Sequence, residues 1–143
     1  MNREIKFRAY DKHTKIMLPV VDVIKFTKSE SINIMRDGAY GVGVTIPYQP
    51  QIELMQYTGL HDKNGKEIYE GDIVSKETFD DTKPNYRDIS YTKVVWIEEL
   101  ASYHLVNKDD KIILYLSDDK YNIEVAGNIY ENGDLLKGAD NIE

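Results

Sequence analysis

The chain has 143 residues, 41% hydrophobic and 30% charged, with a formal net charge of −7 and no cysteine. That length suits one domain with one sizeable core, and the balance of apolar and charged residues suits a globular protein. Disulfides, thiolate metal sites and a cysteine nucleophile are excluded, and free nucleic acid is a poor default partner, because phosphate binding needs clustered Lys and Arg.

Tyrosine is the unusual residue, with 11 copies against 3 Phe and 1 Trp. Its ring packs while its hydroxyl stays wet, so it favours strands and half-buried faces. In chain order, Ile5, Phe7 and Ala9 alternate with Lys6, Arg8 and Tyr10, the period-2 pattern of a strand with one buried face. Asp11 to Lys15 is a polar turn. The run from Ile16 holds Pro19, which marks an edge or an irregular entry, and Val20 to Phe26 is β-branched and aromatic, hence strand. Ile32 to Met35 is a short strand. Ala39 to Ile46 is a glycine-dotted strand, followed by a connection punctuated by Pro47 and Pro50.

Ile52 to Thr58 reads as a strand leading into a dense turn region. Asn64-Gly65 predicts a type I′ hairpin turn, and Glu70-Gly71-Asp72 predicts a second turn. There Gly71 needs a positive φ and Asp72 bonds a backbone amide. Lys76 to Ser90 is polar and reads as a long excursion between two strands, broken by Asp80 to Asn85. A β meander follows, with strands at Thr92 to Ile97, Ser102 to Asn107, Lys111 to Leu116 and Ile123 to Ile129. Leu135 and Leu136 pack back on it.

Three blocks then resemble one family. They are Arg3-Glu4-Ile5-Lys6-Phe7-Arg8-Ala9-Tyr10-Asp11, the signature from Met55 to Val74 that includes Tyr57-Thr58-Gly59-Leu60 and Asn64-Gly65-Lys66-Glu67-Ile68-Tyr69-Glu70-Gly71-Asp72, and Glu124 to Asn132 followed by Asp134-Leu135-Leu136. In this order they resemble the YopX protein family. The resemblance implies a small protein encoded by bacteriophages and prophages. It implies a mostly β fold (a β-rich α+β class) with a C-terminal SH3-like barrel of short antiparallel strands, and a homo-oligomer. It brings no catalytic residue and no cofactor. The expected organisation is a single domain over 1–143, with an N-terminal β subregion over 1–50, the barrel over 51–137 and a tail over 138–143. Val20 to Gln51 carries no signature of the family, and Lys76 to Tyr91 is longer than the short connection the family has there.

The residues offer little chemistry. His13, His61 and His104 lack zinc-motif spacing. The acids around Asp62 lack the spacing of an EF-hand, and they alternate with turn residues as hairpins do. Neither catalytic nor metal-binding nor cofactor-binding residues are therefore assigned. Tyr57, Tyr69, Trp96 and Tyr103 are the candidate interface, since β modules leave edges that must be covered. Arg3, Lys6 and Arg8 form a candidate basic face. The expectation is a non-enzymatic accessory protein that associates with itself and binds a phage or host protein. The alternatives are a nucleic-acid-associated module using the basic face and an enzyme joining a histidine to a carboxylate. The charged opening residues and the lack of a long apolar stretch predict the host bacterial cytoplasm, with no membrane partner.

Overall fold

The computed structural model describes residues 4–21, 23–26, 32–36, 44–47, 52–117 and 122–137. The chain is mostly β and its strand pairs are antiparallel, in two compact units, Met1–Tyr57 and Thr58–Glu143.

In the first unit, β1 (Phe7–Asp11) lies between β2 (Ile16–Val21) and the first part of β6 (Ile52–His61). Because β1 is central, it is buried on both faces: Ala9 is 0% exposed and Tyr10 6%. The single buried face that the alternation predicts is therefore too simple, and Ile5 falls before the strand and stays exposed. Ala9, Leu18 and Ile52 form the packed cluster, flanked by Phe7 and Leu54. The Asp11 turn closes β1 onto β2, with Lys15 N–H on the Asp11 carbonyl at 2.7 Å and the Asp11 carboxylate accepting from His13 N–H.

A separate sheet in this unit has the order β3-β4-β5, from β3 (Val23–Phe26), β4 (Ile32–Arg36) and β5 (Val44–Pro47). Pro47 ends β5 instead of opening a connection. An edge strand tolerates it, since its missing N–H can face away from the ladder. The other residues of the predicted glycine-dotted strand, 39–43, lie outside the described residues.

In the second unit, the end of β6 returns through a tight turn as β7 (Glu67–Tyr69). Five more strands form a sheet of order β11-β10-β9-β8-β12. They are β8 (Asp72–Phe79), β9 (Arg87–Ile97), β10 (Ser102–Val106), β11 (Ile112–Tyr115) and β12 (Ile123–Asn128), with 3-10 helices η1 (Glu98–Leu100) and η2 (Gly133–Leu136). Ile68, Val74, Val94, Tyr103, Leu105, Leu116 and Ile123 make its core. Burying each aliphatic side chain of that set contributes about 1.5–3 kcal/mol. Ile73 and Val74, successive on β8, are both 0% exposed, so the start of β8 is covered on both faces. The helix η2 packs against β8 and β9, as the Leu135-Leu136 pair predicts. Among the described residues no helix is long and apolar enough to cross a membrane.

Two expectations are corrected here. The stretch Lys76 to Ser90 is no irregular excursion. β8 and β9 continue through it in register, with Lys76 opposite Ser90, Glu77 opposite Ile89 and Phe79 opposite Arg87. Both faces of this ribbon meet solvent, so no hydrophobic alternation announces it. The Asn64-Gly65 turn is not type I′ either, because that turn needs φ > 0 at both central residues. Here Gly65 has φ 81° and Asn64 is not left-handed.

Candidate functional site

Asp62 organises the β6–β7 turn, and the reason is its short acceptor side chain. Its Oδ1 accepts from Asn64 N–H at 2.8 Å and Lys66 N–H at 2.9 Å. The backbone closes the turn with Asp62 N–H on Lys66 O and Gly65 N–H on Asp62 O. The other oxygen, Oδ2, accepts from Val125 N–H at 2.9 Å, and Lys63 N–H donates to Ile123 O at 3.0 Å. The signature turn therefore caps the β12 edge of the five-stranded sheet. Burial is the largest single influence on this carboxyl and pushes its pKa up. The three amides, Val125 first, and the nearby Lys66 charge outweigh it and hold the carboxyl below the ordinary range.

The β10–β11 hairpin repeats the device with a different residue. Asn107 Oδ1 accepts from Asp109 N–H and Lys111 N–H, while Asn107 N–H donates to Lys111 O and Asp110 N–H to Asn107 O. Asp110 takes the left-handed position, φ 60°, that Gly65 fills in the first turn. An Asx residue four before the closing residue is the shared sequence signal, and it is independent of Asn-Gly.

The second glycine turn is as predicted. Gly71 has φ 82°, and Asp72 accepts from Tyr69 N–H at 2.8 Å. Gly71 also ties three strands together: its N–H donates to Val94 O, and its carbonyl accepts from Ile129 N–H.

Beyond this turn lies β11, the opposite edge of the sheet. The segment from Ile112 to Leu116 is uncharged. Ile112 is 47% exposed, Ile113 49% and Tyr115 57%. The pairing skips Ile113, since Leu105 faces Leu114 and Val106 faces Ile112, so Ile113 sits in a β-bulge. Tyr115 packs edge-on against His104 at 5.4 Å between centroids. Where β12 is capped by Asp62 and Lys63, β11 ends the sheet with apolar side chains in solvent.

The four candidate interface aromatics divide. Tyr57, Tyr69 and Tyr103 are buried, so within this chain they present little surface. Trp96 is 39% exposed and stands edge-on to Tyr103 at 5.0 Å. Sequence reasoning read β11 as a strand but did not single it out as an interface, although its uninterrupted apolar run was visible.

Of the candidate basic face, Arg3 lies outside the described residues. The Lys6 ammonium sits 3.2 Å from Glu4 and 4.6 Å above the Tyr57 ring. Arg8 is half-buried with Nη2 on the Met55 sulfur, and Lys12 pairs with Glu53 at 2.9 Å. Acids thus interleave with the bases. Buried His104 has Nδ1 3.3 Å from the Ser102 carbonyl, and His13 and His61 are exposed. Among the described residues no group of three or more His, Asp or Glu is placed to hold a metal ion. A depression of about 60 Å³ on the β8–β9–β12 side holds Lys63 with Glu124 and Arg87 with Glu77. Its four charges pair with one another.

Comparison with known proteins agrees with this architecture. The profile of the YopX protein family matches residues 6–137. The crystal structure of protein EF1440 from Enterococcus faecalis is similar, with a TM-score of 0.66 and 27% identity over 94% of this chain and 99% of that one. No curated protein matches the chain.

Proposed function

The chain belongs to the YopX protein family, and from that premise we propose that it is a non-catalytic accessory protein that associates with itself and binds a protein partner. One observation carries this reading. β11 is an uncharged, solvent-exposed edge strand in a sheet whose other edge is capped. Exposed apolar edges are aggregation hazards unless something covers them, and pairing with another strand is the direct way to cover one. The resemblance adds a phage or prophage origin and action in the bacterial cytoplasm. The five-stranded sheet, with a hairpin turn folded over one edge, fits an SH3-like barrel.

The nucleic-acid alternative is weaker, because Glu4 and Glu53 neutralise Lys6 and Lys12 where a phosphate-binding stripe would need unopposed charge. The enzymatic alternative needs a histidine beside a carboxylate, and His104 faces a backbone carbonyl and a tyrosine ring.

Size exclusion coupled to light scattering tests the proposal on the intact chain. A mass of two or more times 16.5 kDa is expected. A single-chain mass at every concentration tested would overturn self-association.

A further inference from the structure

The ribbon formed by the ends of β8 and β9 is a second unpartnered surface, distinct from β11. Phe79 is 60% exposed, Tyr86 43% and Ile89 41%. Register puts Phe79 and Ile89 on one face: Phe79 pairs with Arg87, Glu77 pairs with Ile89, and the two pairs are two residues apart. The ribbon's backbone is also open along β9. That strand pairs with β8 over Arg87–Lys93 but with β10 only over Lys93–Ile97. Arg87 to Thr92 therefore offers a strand edge that no described strand covers. A two-stranded ribbon in water is marginal alone, and gains from packing on a further strand or face.

We infer that this ribbon docks on the β11 edge of a second copy of the chain, pairing the open side of β9 with β11 and covering Phe79 and Ile89 with Ile112, Ile113 and Tyr115. The inference rests on the self-association proposed above and names its two surfaces. Charge selects the occupant. The chain carries −7, so two copies repel over most of their surfaces. On the ribbon, Lys76, Lys83 and Arg87 nearly balance four acids, leaving one of those seven charges, and Ile112 to Leu116 carries none. Copies therefore meet least opposition where their open edges lie. Area points the same way. β11 spans Ile112–Tyr115, and four residues paired with their equivalents bury far less than the roughly 800 Å² per partner of a stable interface. A ribbon laid along that edge adds both strand pairing and three large side chains.

The two surfaces are unlike, so the contact is heterologous, and this makes a mixing experiment decisive. One variant carries Phe79→Asp and Ile89→Asp, and the other carries Ile113→Lys and Tyr115→Lys. All four positions are 41% exposed or more, which leaves the core untouched. The milder Phe79→Ser and Tyr115→Ser replace any variant whose unfolding midpoint departs from wild type. The expected result is that wild type is assembled, each variant alone has a single-chain mass, and their mixture recovers a two-chain mass. Recovery occurs because the second variant's intact ribbon meets the first variant's intact edge. The inference is overturned if either variant keeps the wild-type mass, or if the mixture stays single-chain, as it would were like surfaces in contact. A wild type of single-chain mass overturns self-association itself.

Discussion

Removing the Asp62 carboxylate tests whether the signature turn holds the β12 edge. Asp62→Ala deletes the acceptor for three amides at 2.8–2.9 Å. Asn64 and Lys66 are exposed, so water replaces their bonds and each loss is worth about 0.5 kcal/mol. Val125 is half-buried at the sheet edge, and its bond to a charged acceptor is worth about 1.5–3 kcal/mol. The sum is about 3 kcal/mol. Asp62→Asn keeps an oxygen for the turn but turns an N–H₂ toward the Val125 N–H, so it costs about 2 kcal/mol. Urea unfolding at neutral pH measures both. A loss below about 0.5 kcal/mol for Asp62→Ala would refute the reasoning.

The same site predicts a pH dependence. Asp62 has a lowered folded pKa, so the unfolded chain binds the proton more readily. Its contribution is complete above the ordinary carboxylate range, about pH 4, and is lost as pH falls through the folded value. Asp11 and Asp80 are lowered as well and weaken the fold in acid on their own account. The informative quantity is therefore the stability difference between wild type and Asp62→Asn, which should shrink as pH falls from about 5 to 3. A constant difference would place the carboxylate's role elsewhere.

Three further substitutions have signs set by local geometry. Asp110→Gly should stabilise by about 0.5 kcal/mol in thermal unfolding, since glycine accepts φ 60° freely and the ion pair lost with Lys93 is a surface one; destabilisation would show that this pair matters more. Thr92→Val should be neutral or stabilising by up to about 1 kcal/mol, because Thr92 Oγ1 is buried without a hydrogen-bond partner. A clear loss of stability in chemical denaturation would reveal a partner for that hydroxyl. Gly127→Ala should cost about 1–3 kcal/mol, because a Cβ there would stand 2.3 Å from Asn132 Oδ1 and 2.7 Å from Asn132 Cβ. That substitution should also loosen the Asn128–Asn132 turn, visible as shifted Tyr130 and Glu131 amide resonances.

The legible parts of the sequence were those where one face is dry. Val94 and Ile123 alternate with wetter neighbours, and their strands lie where the pattern puts them. Gly71 and Asp72 were legible because positive φ and amide capping belong to residue types. The β8–β9 ribbon was not, since Thr78, Asp88 and Ser90 sit in solvent and strand pairing there leaves no hydropathy trace. The turn at Asn64-Gly65 was misread because Asp62, two residues earlier, captures the amides and leaves only Gly65 left-handed. The burial of Tyr57, Tyr69 and Tyr103 could not be told from exposure, as tyrosine serves both. β11 was read correctly as a strand, but its place at the rim depends on strand order, which no local pattern encodes.

Because β9 changes partner at Lys93, one continuous strand belongs to two neighbourhoods. Lys93 and the core residue Val94 are held from both sides, by β10 and by β8 or the Gly71 turn, whereas Arg87 to Ser90 is held from one side only. Protection against amide exchange should therefore rise steeply along a strand with no break in its geometry. The outer half would open and close many times for each global unfolding event, so the ribbon can re-form against a new surface while the sheet that anchors it stays intact.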